Sequence, residues 1–400
     1  MRIITGGVIV LVAVLAGVYT LSRGESGETV EAPYFEVDPL WPKPLPNHWL
    51  LGSTIGVAVD ERDHVWIIHR GSATLNANEK GLELDPKRGE CCGGAPPVLE
   101  FAPDGTLQRH WGGPGQGYQW PSSNHGITID HKGNVWIGGN GPNDGQVLKF
   151  TQDGKFLLQA GKPVAEARRT DRKTEAGDPI YTGQSDDREG FFRVAKIFVD
   201  PRDNEAYLAD GYGNKRVAVV DADTGALKRY WGAYGNKPDD TDLGPYQPDA
   251  PPAPQFRNPV HCADLSVDRL VYVCDRVNNR IQVFRTDGTF VKEGFIVRST
   301  LGAGSAWDLA FSKDPEQRYL FVADGLNMRV HALRRDTLET LTSFGDGGRQ
   351  PGQFYGVHSI ATDSQGNVYT TETYEGKRVQ KFAFKGIRRV SRQQGVVWPR

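Results

Sequence analysis

Three stretches of this sequence superpose without a gap: HGITIDHKGNVWIGGN (125–140), HCADLSVDRLVYVCDR (261–276) and HSIATDSQGNVYTTET (358–373). In each stretch a histidine opens a short apolar run, and ten residues later a valine and an aromatic residue open a second run. Two such runs joined by a polar turn predict adjacent strands of a β-hairpin. One histidine in one repeat says little, but three in the same position of alternate repeats can converge on a single point.

The hairpin belongs to a unit of roughly forty residues that recurs six times. Its cores are GVAVDERDHVWIIHR (56–70), GITIDHKGNVWIGGN (126–140), KIFVDPRDNEAYLADGY (196–212), ADLSVDRLVYVCDR (263–276), DLAFSKDPEQRYLFVADG (308–325) and SIATDSQGNVYTTET (359–373). Two more strands follow each core, and in the sixth unit both are expected within VQKFAFKGIRRV (379–390). Because one blade cannot bury both faces of its sheet, the units must stack. The sequence predicts one all-β domain, a six-bladed β-propeller, over residues 51–392.

The two ends of the chain differ from this pattern. Residues 5–21 are uncharged and almost wholly apolar, which predicts a signal peptide or signal anchor within residues 1–24. Residues 25–50 are polar and Pro-rich, as expected of a tether and lead-in, and residues 393–400 form a C-terminal tail. We therefore expect an exported protein, secreted or membrane-anchored, which contacts the membrane only through the N-terminal segment and only if that segment is not cleaved.

Composition narrows the range of partners. The net charge of −2 gives no reason to expect a nucleic-acid partner. Export permits disulfides, and Cys262 and Cys274 are expected on adjacent strands, where a bridge between them would be feasible. Cys91 and Cys92 fall in a Gly-rich loop, either as incidental cysteines or as a vicinal pair. Long polar insertions at 76–96, 162–190 and 233–257 are expected on one face of the ring, where such loops commonly shape a binding site.

The repeated histidines predict a metal site. The first strand of each blade lines the central channel, so equivalent positions lie at one height around the axis. His125, His261 and His358 belong to blades two, four and six, which places them about 120° apart with their imidazoles pointing inward. Three neutral imidazoles with an open fourth position suit zinc or a similar divalent ion.

A second set of residues lies fifteen positions after the histidine position, near the end of the second strand. Arg70 and Arg276 fall there in blades one and four. In blade three, allowing one inserted residue, Gly211 falls there and Tyr212 follows it. Guanidinium groups bind carboxylates bidentately, which indicates a small-molecule or peptide substrate with a carboxylate. A tyrosine beside a divalent cation and guanidinium groups can act as a general base.

Six strings resemble one family in their order: IIHRG (67–71), HGITID (125–130), ADGYGNKR (209–216), HCADLSVD (261–268), CDRVNNRIQVF (274–284) and GVHSI (356–360). Together they resemble the peptidyl-α-hydroxyglycine α-amidating lyase, and residues 50–390 resemble the NHL-type propellers more generally. The lyase family cleaves peptidyl-α-hydroxyglycine to a peptide amide and glyoxylate, using zinc. The resemblance implies zinc on the three histidines, Tyr212 as base, and Arg70 and Arg276 as substrate-binding groups.

One position departs from that family, and other functions stay open. Members of the family carry an Asp after the last zinc histidine that helps to hold a structural calcium, whereas this chain carries Ser359, which makes calcium doubtful. The alternatives are a lyase for another carbinolamide, a hydrolase with the same zinc site, and a non-enzymatic NHL-type binding module outside the cytoplasm. A calcium-dependent lactonase propeller is disfavoured, because its inner strands would carry carboxylates and Asn where this chain has His.

Overall fold

The computed structural model describes residues 28–165, 168–173 and 179–399. In chain order the strands begin with β1 (Thr29–Asp38), β2 (Trp49–Leu50), β3 (Thr54–Val59), β4 (Val65–His69), β5 (Gly93–Gly94), β6 (Val98–Phe101), β7 (Leu107–Trp111), β8 (Asn124–Ile129) and β9 (Val135–Gly139). They continue with β10 (Gln146–Phe150), β11 (Phe156–Gly161), β12 (Arg169–Lys173), β13 (Pro179–Tyr181), β14 (Val194–Asp200), β15 (Glu205–Asp210), β16 (Arg216–Asp221), β17 (Leu227–Trp231) and β18 (Val260–Leu265). The last are β19 (Leu270–Asp275), β20 (Arg280–Arg285), β21 (Phe290–Phe295), β22 (Asp308–Phe311), β23 (Tyr319–Asp324), β24 (Arg329–Arg334), β25 (Glu339–Phe344), β26 (Val357–Thr362), β27 (Val368–Glu372) and β28 (Arg378–Ser391).

Twenty-four of these strands form six four-stranded antiparallel sheets, so the predicted all-β six-bladed propeller is confirmed. The other four form two small two-stranded sheets, β2 with β5 and β12 with β13. Helix within the described ranges is limited to short 3₁₀ turns such as Gly71–Thr74 and Ala233–Gly235. The innermost strands β3, β8, β14, β18, β22 and β26 each contact the next one around the ring, and β26 contacts β3. The ring is therefore closed around a central channel, and packed layers of side chains from neighbouring sheets form its core.

The sixth blade is closed by the N-terminal end of the chain. β1 pairs with β28 from Thr29 opposite Ser391 to Asp38 opposite Lys381. The expectation that both outer strands would lie within 379–390 is wrong, because that segment is part of one long strand and β1 supplies the fourth. The lead-in 25–50 thus contains a structural strand. A sheet shared by both chain ends removes the exposed edges that an open ring would have.

Alternate antiparallel strands put three kinds of feature at the same end of the ring. The starts of the inner strands, the loops between second and third strands, and the loops between blades all lie at this mouth. The insertions 76–96, 162–190 and 233–257 belong to these loops, so in the described residues they gather on one face as expected.

A β-bridge near the end of the chain and two disulfides add local links to the propeller. In the C-terminal tail, Gln393 bridges to Ser343 of β25. Cys262 and Cys274 lie directly opposite each other on β18 and β19 and are joined by a disulfide with a Cα–Cα distance of 4.9 Å. Cys91 and Cys92 are also joined to each other.

The predicted signal or anchor segment, residues 5–21, lies outside the described residues. In the part of the chain that is described, no helix is both long and apolar enough to cross a bilayer.

A buried aspartate stabilises the turn between the first two strands of a blade, at the end of the channel opposite the mouth. Asp363 follows β26, and its carboxylate accepts hydrogen bonds from the backbone N–H groups of Gln365 (3.0 Å) and Asn367 (2.9 Å) and from the hydroxyl of Tyr369 (3.0 Å). Asp60 and Asp130 accept the equivalent bonds in blades one and two, with Trp66 and Trp136 as the aromatic donors. One carboxylate therefore satisfies the turn and anchors the second strand.

We expect Asp363→Ala to lower the free energy of unfolding by roughly 2–4 kcal/mol, because several buried hydrogen-bond donors lose their acceptor at once. Guanidinium chloride denaturation followed by tryptophan fluorescence measures the change. The matched control is Asp153→Ala, since 81% of that side chain is exposed and its ion pair with Arg109 lies at the surface. Equal midpoints for the two variants would show that the turn does not depend on the buried carboxylate.

Candidate metal centre

Each of the three histidines sits at a local irregularity of its inner strand. The pairing register shifts between His125 and Ile127, between Val260 and Cys262, and between Val357 and Ser359. Such bulges re-aim a side chain relative to the regular pleat. His125, His261 and His358 are 2%, 3% and 4% exposed, and their rings point into the channel with centroids 4.8–5.1 Å apart.

The backbone of the neighbouring blade orients each imidazole. Nδ1 of His125 lies 2.7 Å from the carbonyl oxygen of Ala195, and Nδ1 of His358 lies 2.6 Å from that of Ile55. Nδ1 of His261 bonds the carbonyl of Trp307 in the same way. A carbonyl only accepts hydrogen bonds, so Nδ1 must carry the proton and Nε2 keeps a free lone pair. This arrangement is typical of histidines that ligate metals.

Gly126 permits one of these contacts. Its φ is +60°, and a Cβ at this position would come within 2.3 Å of the Ala195 oxygen that accepts the bond from His125. A larger residue would push blade three away from blade two at the level of the histidines.

The cluster fits a divalent metal ion. One ligand atom from each of the three histidines lies within 4.8 Å of the other two. Burial, together with nearby positive charge, lowers the pKa of His125 and His261 well below the usual range, and burial lowers the pKa of His358 to about 3. All three imidazoles are therefore neutral near pH 7 and can donate lone pairs. Three nitrogen donors with room for a fourth ligand suit zinc and other borderline-soft ions.

Tyr212 reaches the cluster from the mouth. Its hydroxyl lies 3.1 Å from Nε2 of His125 and 3.0 Å from Nε2 of His261. The turn that carries it is held by Asp210, which accepts bonds from Asn214 and Arg216, each at 2.8 Å. Tyr212 therefore has a fixed position above two of the three ligands.

Gly211 lets this turn approach the next blade. A Cβ at Gly211 would lie 2.0 Å from the Val260 carbonyl oxygen, so only glycine fits beside β18.

The side chain of Arg276 contacts the Tyr212 hydroxyl. Its Nη1 donates to Tyr212 Oη over 3.1 Å, and its guanidinium lies 4.5 Å from the Trp307 ring and 5.5 Å from the Tyr212 ring. Its turn repeats the arrangement around Tyr212, because Asp275 accepts bonds from Asn278 (2.7 Å) and Arg280 (2.8 Å). Two aromatic rings and the hydrogen-bonded turn at Asp275 hold the guanidinium in place.

Arg70 lies farther round the mouth. Its Nη2 donates to Oδ1 of Asn140 over 2.8 Å, and its charge is close enough to lower the pKa of His125 and His358. The structure thus brings all six predicted residues to one end of the channel.

Sequence reasoning missed three further residues there. Asn140 occupies the same position in blade two that Arg70 occupies in blade one, and Trp307 occupies the histidine position of blade five. The repeat register could have found both. Arg193 precedes β14, and its guanidinium lies 5.8 Å from the Tyr212 ring. No repeat pattern marks that position.

A second charged cluster lies in the channel next to the histidines. Nζ of Lys196 donates to Asp308 over 2.6 Å and to Asp264 over 3.0 Å, and Ser359 donates to Asp308 over 2.6 Å. Lys196, Asp308 and Ser359 line a small cavity together with the three histidines. Since the ammonium already occupies the space between the two carboxylates, these residues do not fit a calcium ion, and the doubt about calcium has a structural basis.

Two other groups of potential ligands have partners of their own. Cys262 stands near Asp264 and Asp308 but is consumed by its disulfide. Asp60, His64 and Glu100 form the other group, and Arg62 pairs with both carboxylates at 2.6 and 2.9 Å.

Fold and site together define a class: a six-bladed β-propeller whose channel holds three histidines that could bind a metal ion. No protein-family model matches the chain. Its homologues include NHL repeat-containing protein 3 of Mus musculus, 27% identical over 321 residues, which are 78% of this chain and 71% of that protein. They also include peptidyl-glycine alpha-amidating monooxygenase A of Xenopus laevis, 26% identical over 279 residues, which are 65% of this chain and 24% of that protein.

These homologues confirm the resemblance inferred from the sequence. The chain spans only about a quarter of the length of the amidating monooxygenases that it matches. Among solved structures, virginiamycin B lyase from Staphylococcus aureus superposes with a TM-score of 0.48 and 13% identity, over 87% of this chain and 99% of that one. That similarity is too low to carry an argument about function.

We expect Lys196→Met to lower the free energy of unfolding by roughly 3–5 kcal/mol, because the buried carboxylates of Asp264 and Asp308 lose the cation that they share. Adding Asp264→Asn should recover part of the loss by removing one of the stranded charges. Thermal and denaturant unfolding measure both changes, with Lys155→Met at an exposed turn as the control. If calcium stabilised the native protein and chelation destabilised it, the lysine would not be the internal cation of this channel.

Proposed function

We propose that the chain is an exported, zinc-dependent lyase that cleaves the C–N bond of a carbinolamide bearing a carboxylate. A peptidyl-α-hydroxyglycine has this layout and would give a peptide amide and glyoxylate. The observation that carries the proposal is the position of Tyr212, whose hydroxyl contacts Nε2 of two histidines while Arg276 donates a hydrogen bond to it. A proton acceptor is thereby held beside the Nε2 lone pairs of two of the three histidines.

The residues of the chain divide the reaction between them. His125, His261 and His358 would hold the metal, and a bound divalent cation supplies Lewis acidity to a substrate hydroxyl. Tyr212 Oη, as phenolate, accepts the proton of the substrate hydroxyl. The guanidinium of Arg276 stabilises the negative charge on this phenolate oxygen.

The bonding changes balance without a redox cofactor. The electron pair of the O–H bond becomes the second bond of the aldehyde C=O. The C–N bond breaks, its electron pair stays on nitrogen, and the phenol or a water returns a proton to the departing amide. Arg70 and Arg276 bind the carboxylate that remains on glyoxylate.

Two further observations support the proposal. Homologues of the chain include peptidyl-glycine alpha-amidating monooxygenases, which match it over about two thirds of its length. The disulfide between Cys262 and Cys274 and the apolar segment 5–21 suit a protein that leaves the cytoplasm. A non-enzymatic propeller that binds partners through its loops is the competing function, and it has no need of three inward imidazoles at one height.

The purified protein should contain about one zinc per chain. His261→Ala should lose most of it, because the site falls from three protein ligands to two. Metal analysis by mass spectrometry measures the content, and circular dichroism shows that the propeller still folds. His110→Ala is the control, since His110 lies on the outer strand β7. A folded His261→Ala protein with its full zinc would show that the metal binds elsewhere.

The zinc-loaded protein should release glyoxylate from α-hydroxyhippurate above the spontaneous rate. Tyr212→Phe removes one hydroxyl, so we expect turnover to fall by a factor on the order of 10²–10⁴ with unchanged zinc content. Tyr230→Phe, on the outer strand β17, serves as the control. If the wild type releases no glyoxylate, the lyase proposal fails. If Tyr212→Phe keeps full turnover, the base is another group.

A further inference from the structure

Arg193 lies at the mouth of the channel, and the proposed reaction assigns it no role. Its Nε donates to the carbonyl oxygen of Asn140 over 2.8 Å, and its carbonyl accepts from the backbone N–H of Tyr212 over 3.1 Å. Its φ of +63° is unusual for a residue with a Cβ. Conformations of this kind persist where the surroundings enforce them, and they cluster at functional sites.

Three guanidinium groups therefore surround Tyr212: those of Arg70, Arg193 and Arg276. Within the described part of the chain, none of the three forms an ion pair. Arg216 and Arg280, by contrast, each pair with a buried aspartate at 2.8 Å. The terminal nitrogens of Arg193 also make no hydrogen bond to any described residue, so they are available to a ligand.

The charge of Asp144 acts on Arg193, but the two side chains form no ion pair. Asp144 lies beside Arg193, but its oxygens accept bonds from Ser122 and Ser123 and, at 2.7 Å, from the backbone N–H of Gly141. Burial lowers the pKa of Arg193, and the nearby charges of Tyr212 and Asp144 offset only part of this effect. Partly buried positive charge of this kind favours an anionic ligand.

We propose that Arg193 binds a second anionic group, carried by the amide side of the substrate. The proposal rests on the lyase function above and narrows its substrate class. One carboxylate beside the reacting carbon can engage Arg70 and Arg276, which leaves the third guanidinium without a partner. The preferred substrates are therefore N-acyl-α-hydroxyglycines whose acyl part carries its own carboxylate. That carboxylate is bound and does not react, so the bonding changes are those already given.

The test compares α-hydroxyhippurate, with one carboxylate, and N-succinyl-α-hydroxyglycine, with two. Wild-type kcat/KM should be about tenfold or more higher for the dianion. Arg193→Gln should reduce kcat/KM for the dianion about tenfold more than for the monoanion, chiefly through KM. Arg202→Gln removes a guanidinium beyond the other end of the same inner strand, β14, and should leave that ratio unchanged.

Arg193→Lys is a second variant that keeps the proposal testable if Arg193→Gln does not fold. It keeps the charge but cannot bind a carboxylate bidentately, so it should show an intermediate preference. Equal losses on both substrates in Arg193→Gln would assign Arg193 to the positioning of Tyr212 and overturn the proposal.

A binding measurement separates this proposal from the lyase function. N-succinylglycine and hippurate lack the reacting hydroxyl, and calorimetry on the zinc-loaded protein should show tighter binding of N-succinylglycine. Arg193→Gln should abolish that preference. If the preference holds but no glyoxylate is released from either substrate, the dianion site stands and the lyase assignment fails. If the wild type does not distinguish the two ligands, the second anion site is wrong.

Discussion

The site depends on one hydrogen bond made three times, from the Nδ1–H of a channel histidine to a backbone carbonyl of the next blade. The acceptors, Ala195, Trp307 and Ile55, occupy in blades three, five and one the position that histidine occupies in blades two, four and six. The same contact packs one inner strand against the next and fixes the tautomer of the imidazole. The geometry of the ligands is thus a by-product of how the blades meet, and it persists as long as the ring stays closed.

Charge is layered along the channel. A neutral layer of three imidazoles lies between the buried cluster of Lys196 with Asp264 and Asp308 and the guanidinium groups of the mouth. The cluster holds two carboxylates and one ammonium, so its cation is already in place. At the mouth, Arg70, Arg193 and Arg276 form no ion pair with any residue that the structure describes. This arrangement favours the binding of an anionic ligand at the mouth, as the proposed function requires, and the far side of the histidine layer contributes rigidity.

The repeat register decides how much of this could be read from the sequence. The position of His125, His261 and His358 at one height follows from their spacing, because every inner strand has the same direction and start. Arg276 follows from the same count. β1 could not be assigned, since its pairing with β28 joins residues 343 to 362 positions apart and its own sequence carries only a weak strand pattern. Arg193 lies in an inter-blade loop, where a left-handed backbone conformation, rather than periodicity, decides its direction.

Function in this propeller comes from departures from its own symmetry. Six equivalent blades would give six equivalent channel residues, but alternation of His with Ile, Ala and Trp divides the six positions into three imidazoles and three carbonyl acceptors. At the mouth a single inserted residue in blade three completes the change. It places Gly211 where blade four carries Arg276, and the absence of a Cβ there allows close contact with β18. Tyr212 is thereby carried one residue further, to a point from which its hydroxyl reaches both His125 and His261.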